Sequence, residues 1–205
     1  MKLFYSPNSC ALAIHIILEE IGKPYELELV DFSTGAQYKQ PYTSLNPKSK
    51  VPALLRDDDT LLTELPAIAW YLARTNPTLG LIPETIEGEA RLLELTDYMV
   101  ATVHMRGFTR LFRSAAFTPT TADEPAVQQT GRDIIRDGFK ILSGALGAKP
   151  WLLGDYSLAD IVLFYLENWA LYRAQLPVPE NLADHCARMR TRPAVQRALA
   201  AEGLS

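Results

Sequence analysis

No stretch of this 205-residue chain approaches the roughly 18 apolar residues of a membrane span. No basic block is long enough to suggest a phosphate-binding surface, and the net charge is −4 with a pI near 5.4, so a nucleic-acid partner is not expected. Cysteine is scarce. Cys10 and Cys186 cannot make a disulfide framework, which points to a reducing cytoplasmic compartment. No His, Cys, Asp or Glu spacing suggests a metal, and no glycine-rich loop is built to cradle phosphates. Met1-Lys2-Leu3-Phe4-Tyr5 has one basic residue and no long apolar run behind it, so no secretory leader is expected. Internal repeats and low-complexity segments are also missing.

Apolar residues make up 48% of the chain, enough to bury a substantial core. Lys2–Tyr5 reads as a short strand. Residues 9–21 carry apolar side chains at helical spacing and stop at Gly22. Residues 25–29 alternate with period two, predicting a strand with one buried face, and 31–46 reads as a polar loop with a short helix. Residues 51–55 and 61–63 read as a hairpin across the turn 56–60, and Pro66 suits the first turn of a helix to Arg74. Asn76, Pro77, Gly80 and Pro83 then break the pattern. Beyond them the expectation is helical throughout: 87–114, 127–146, 157–173, 181–190 and 193–201. This order predicts an α/β domain over 1–77, a linker over 78–86 and an all-α domain over 87–205.

Cys10 is the residue that most invites a chemical reading. It stands in the first turn of a helix, where unpaired N–H groups and the macrodipole favour a thiolate and lower a thiol pKa. The plain alternative is a small buried residue packing that helix. Ser9 reads as an N-cap or as a hydroxyl donor to a substrate thiolate, and Tyr5 as a phenol at the strand end or a surface aromatic. Val51-Pro52 opens a strand after Asn46-Pro47-Lys48-Ser49-Lys50; X–Pro bonds are cis in only about 5–6% of cases, so a trans bond is the statistical expectation. Leu65 can turn its backbone N–H toward an anion at a helix start, and Glu64 can bind an ammonium or simply cap the dipole. Ser157-Leu158-Ala159-Asp160 reads as a capping box. His15, His104 and His185 carry no pattern that lifts them above structural roles.

Together these residues resemble the cytosolic glutathione transferases over nearly the whole chain. The resemblance rests on Lys2–Tyr5 with Cys10 opening the first helix, Asn46-Pro47-Lys48 leading to Val51-Pro52-Ala53-Leu54, and Leu61-Leu62-Thr63-Glu64. Ser157–Asp160 and the ending from Arg192-Pro193 to Ala201-Glu202-Gly203-Leu204 complete it. Cys10 and that ending are most similar to the bacterial beta class. The resemblance implies a thioredoxin-like N-terminal domain, an all-α C-terminal domain, a homodimer, and glutathione as co-substrate. It implies a cis bond before Pro52, Val51 pairing with the cysteinyl part of glutathione, and Glu64 and Leu65 at the γ-glutamyl end. Tyr5, Ser9 and Lys50 belong to the same implied binding set. Cys10 and His104 are implied as catalytic residues, with Cys10 near the glutathione sulfur.

Three departures stand out. Leu65 occupies a position where the family often has Ser or Gly, so it keeps the N–H and offers no hydroxyl. His104-Met105-Arg106-Gly107-Phe108 has one residue more than the family pattern, which turns the later residues of an α-helix by about 100° unless a π-bulge absorbs it. Either His104 or Arg106 then keeps the usual direction. Asp97 stands where the class often has Asn, a position that reaches the partner subunit's glutathione. Met105, Phe108, Leu111 and Phe112 offer an electrophile pocket or simply pack the helix. The function implied is conjugation of the glutathione thiolate to small hydrophobic electrophiles. Glutathione-dependent thiol–disulfide exchange through Cys10 is the first rival, and a non-enzymatic binding or regulatory protein the second.

Overall fold

The computed structural model describes residues 1–204. The chain divides into two compact units, Met1–Ile82 together with Met189–Ser205, and Pro83–Arg188.

In the first unit, β1 (Lys2–Tyr5), α1 (Ala11–Ile21) and β2 (Glu26–Leu29) form a parallel βαβ, with Leu3 opposite Leu27. α2 (Tyr42–Leu45) follows two 3₁₀ turns. β3 (Ala53–Leu55) runs antiparallel to β1, and β4 (Leu61–Thr63) antiparallel to β3, giving a sheet ordered β2-β1-β3-β4. α3 (Leu65–Arg74) closes the domain. This is the thioredoxin-like arrangement that the resemblance implied. α1 is buried from Ala11 through Leu18, as expected of a helix that is apolar on every side. Gly22 ends it in the left-handed conformation, at φ 68°, and returns its N–H to the Leu18 carbonyl. Phe4, Val30, Tyr42, Val51 and Ala53 form a small core with Ala11 under the start of that helix.

Two sequence expectations need correction here. The strand over 25–29 lacks a buried face: Leu27 is half-covered and Leu29 is 54% exposed, because β2 is an edge strand. The last helix, α9 (Pro193–Ala201), packs on α1 and belongs to the first unit, not to the helical domain expected over 87–205.

The second unit is helical. α4 (Ile86–Tyr98) continues into a π-helical stretch over Met99–Phe108 and then α5 (Thr109–Phe112). α6 spans Glu124–Leu146, and α7 (Leu158–Asn168) is buried along its whole length. α8 covers Glu180–Arg190. The extra residue around His104 is therefore absorbed by π geometry: the Thr109 N–H and hydroxyl both reach back to the His104 carbonyl. Gly107 and Gly131 let α6 approach this stretch closely, since a Cβ on Gly131 would lie 2.8 Å from the Gly107 carbonyl oxygen. The capping box forms as expected, with Asp160 accepting the Ser157 N–H at 2.9 Å.

Candidate functional site

Within the first unit the predicted residues gather around the start of α1. Cys10 is half-buried, and its Sγ donates to the Val51 carbonyl oxygen at 3.5 Å. Ser9 is buried, and its Oγ accepts the Ala11 N–H at 3.2 Å, while Cys10 itself holds the N-cap position of α1. The Val51–Pro52 bond is cis, as the resemblance implied and against the statistical expectation. The turn before it is pinned from the core. The side chain of Asn46, 1% exposed, donates to the Lys50 carbonyl at 2.9 Å, and the Tyr42 hydroxyl donates to the same oxygen. The sequence reading missed both anchors; Asn46 stood inside the recognised Asn-Pro-Lys run and was the available signal.

Glu64 sits between β4 and α3 at φ 72°, a strained backbone for a non-glycine residue, with its carboxylate exposed. Lys48 Nζ donates to Glu64 Oε1 at 2.7 Å and to Thr63 Oγ1 at 2.8 Å. The Leu65 side chain is buried, so what this residue offers is its N–H at the start of α3. Lys50 is exposed on the same turn as Val51.

The thiol of Cys10 departs from expectation. Burial pushes it up to about 12; a backbone hydrogen bond at its own N–H lowers it, the Glu64 carboxylate raises it further and Lys50 opposes that rise. Desolvation thus outweighs the backbone hydrogen bond and the Lys50 charge, and favours the protonated thiol. Tyr5 is half-buried, with its ring edge-on to His15 at 6.1 Å, and burial together with the Glu202 charge raises its phenol.

Glu202 was not anticipated. Its side chain has no exposed surface, and its carboxylate accepts the Asn8 N–H at 2.9 Å and lies 2.9 Å from His15 Nδ1. The end of the chain thereby fixes the loop that leads into Cys10.

Within the second unit, His104 and Arg106 take different directions. His104 is half-buried, with Nδ1 3.2 Å from the Tyr165 hydroxyl and its ring 4.9 Å from that of Trp169. Arg106 is exposed. Phe108 has no exposed surface and packs on Phe112, Phe139 and Trp169, so its expected place in a pocket wall is corrected to core packing. Met105 is 45% exposed, and Phe112 is half-buried under the Arg173 guanidinium at 4.0 Å. Asp97 lies on the exposed side of α4.

Residues 8–75 match the family model of the glutathione S-transferase N-terminal domain. The chain is 39% identical to the glutathione S-transferase GstA of Escherichia coli O157:H7, covering all of both sequences. It belongs to the glutathione transferase family. A disulfide-bond oxidoreductase, YfcG of Escherichia coli strain K12, is 29% identical over 97% of this chain and 94% of its own. Among solved structures, a beta-class glutathione S-transferase of Sphingomonas chungbukensis superposes with a TM-score of 0.85 at 34% identity, covering all of both chains. Two structural neighbours, a glutathione transferase homolog from Sulfitobacter and a sphingomonad glutathione S-transferase, carry bound glutathione. Among the described residues no helix is long and apolar enough to cross a membrane.

Proposed function

We propose that this transferase conjugates the glutathione thiolate to small hydrophobic electrophiles, with Cys10 beside the glutathione sulfur. The observation that carries this reading is the setting of Cys10, 3.5 Å from the Val51 carbonyl and within the fields of Glu64 and Lys50. In this reading the Val51 backbone pairs with the cysteinyl unit of glutathione. Glu64 takes the γ-glutamyl ammonium, and the Leu65 N–H faces the α-carboxylate. Lowering the glutathione thiol from about 8.5–9 toward 6.5 requires roughly 3 kcal/mol of selective stabilisation. The start of α1 and the Cys10 S–H are its sources. A Cys10 thiol that keeps its proton serves as a hydrogen-bond donor to a neighbouring thiolate. The working enzyme is a cytoplasmic homodimer, with Asp97 directed toward the partner subunit's glutathione.

Monothiol exchange through Cys10 is the second reading, favoured by the presence of a thiol at this position and by the relative named as a disulfide-bond oxidoreductase. It needs a Cys10 thiolate. Burial disfavours that thiolate, so conjugation is the better-supported reading.

The test is a Cys10→Ala variant, assayed for conjugation of an aromatic chloro-nitro electrophile and for reduction of a glutathione mixed disulfide. Slower conjugation supports the first reading. Loss of disulfide reduction alone transfers support to the second, and full retention of both activities removes Cys10 from the mechanism.

A further inference from the structure

The γ-glutamyl end of glutathione is an α-amino acid, so an ammonium and a carboxylate arrive on one carbon as adjacent opposite charges. Glu64 answers the ammonium. The carboxylate is the harder group to satisfy here, because the Leu65 side chain is buried and has no hydroxyl to donate. The Leu65 N–H is a single neutral donor for a full negative charge.

A second donor stands next to it. Lys48 Nζ lies 2.7 Å from Glu64 Oε1 and 2.8 Å from Thr63 Oγ1, which brings a cation to the first turn of α3. The position of Lys48 is built rather than accidental. Its backbone N–H donates to Asn46 Oδ1 at 3.1 Å, and Asn46 is locked into the core through the Lys50 carbonyl. The neighbouring Ser49 turns the chain at φ 55°, accepting a left-handed conformation to complete the turn. Opposite it, the strained Glu64 backbone presents its carboxylate outward rather than into the core. The Lys48–Glu64 pair is exposed, with side-chain exposures of 54% and 63%. Exposed ion pairs hold weakly, so a ligand can replace each partner at small cost.

We infer that Lys48 is the specificity residue for the γ-glutamyl α-carboxylate, standing in for the hydroxyl that Leu65 lacks. This inference rests on the glutathione reading above. On binding, the ligand ammonium takes Glu64, and Lys48 turns from Glu64 to the ligand carboxylate, beside the Leu65 N–H. The ligand-free ion pair thus holds both recognition groups in register for an α-amino acid. No covalent bond changes in this exchange.

The experiment is calorimetric titration of wild type, Lys48→Met and Lys48→Arg with two tripeptides. One is glutathione, and the other is 4-aminobutanoyl-cysteinyl-glycine, which keeps the ammonium and lacks the α-carboxylate. Lys48→Met is expected to weaken glutathione binding about tenfold, the size of one charge-assisted hydrogen bond, and to leave the analogue unchanged. Lys48→Arg is expected to retain most of the wild-type affinity. Unchanged or tighter glutathione binding by Lys48→Met overturns the inference, as does equal weakening of both tripeptides. A wild type that binds neither tripeptide overturns the glutathione reading itself, whereas normal wild-type binding without a Lys48 effect overturns this inference alone.

Discussion

His185 Nδ1 lies 2.9 Å from Glu167 Oε2, and neither side chain has any exposed surface. On its other edge His185 Nε2 is 3.2 Å from Asp160 Oδ1, so the imidazole bridges two carboxylates of α7. Burial works against the charge on His185, yet the hydrogen bonds to Asp160 and Glu167 prevail and hold it up at about 9. Burial raises Glu167 to about 7, against the pull of His185.

Both shifts bind protons more tightly in the folded chain than in the unfolded one. Their stabilisation is complete below the unfolded values of 4.5 and 6.5, and is lost as pH rises through about 7 and about 9. The melting temperature is therefore expected to fall steadily between about pH 7 and pH 10. In His185→Gln the profile should be flatter over that range and the protein less stable at neutral pH. An identical slope in the variant would assign the alkaline loss to other groups.

The close approach of α6 to the π-helical stretch makes a second prediction. A Cβ on Gly131 would meet the Gly107 carbonyl oxygen at 2.8 Å and the Leu111 backbone nitrogen at 2.9 Å, and neither can step aside. Gly131→Ala is expected to cost roughly 1–3 kcal/mol in chemical denaturation. Gly144 lies on the same helix with nothing within 4 Å of its Cβ position. Gly144→Ala should instead stabilise by about 0.5–1 kcal/mol through helix propensity.

Much of this architecture was legible in the sequence. The strands, α1, the capping box and the helical second half arise from periodicity and turn residues. The extra residue at 104–108 announced a π-bulge or a rotation, and the chain adopts the π geometry. What was not legible arises from contacts between distant segments. Nothing near position 202 marks its side chain as the partner of Asn8 and His15, and nothing near 185 marks a bridged imidazole. The balance at Cys10 belongs here too: the helix terminus is local and visible in sequence, and the burial that raises the thiol is not.

Glu202 supplies a third prediction. Glu202→Ala removes the acceptor of the part-buried Asn8 N–H and of the buried His15 Nδ1. Each such loss costs about 1–3 kcal/mol, so the variant should unfold at distinctly lower denaturant. Its thiol at Cys10 should also become more accessible, because the loop before α1 loses its anchor. Unchanged alkylation of Cys10 in this variant would separate Glu202 from the site.

The ligand-free thiol gives a fourth. With Cys10 held near 12 by burial, its alkylation by iodoacetamide should be slow at pH 8 and still climbing with pH at pH 10. A rate that levels off near neutral pH would identify a stabilised thiolate and revive the exchange reading.

The most direct test of a protonated Cys10 serving the glutathione thiolate is the pH dependence of kcat/KM for conjugation, compared between wild type and Cys10→Ala. The expected wild-type profile has its acid limb well below the ordinary thiol value of about 8.5. In Cys10→Ala the limb moves upward and the rate at neutral pH drops about tenfold, the loss of one hydrogen bond to a charged group. Superimposable profiles for the two proteins would contradict the account.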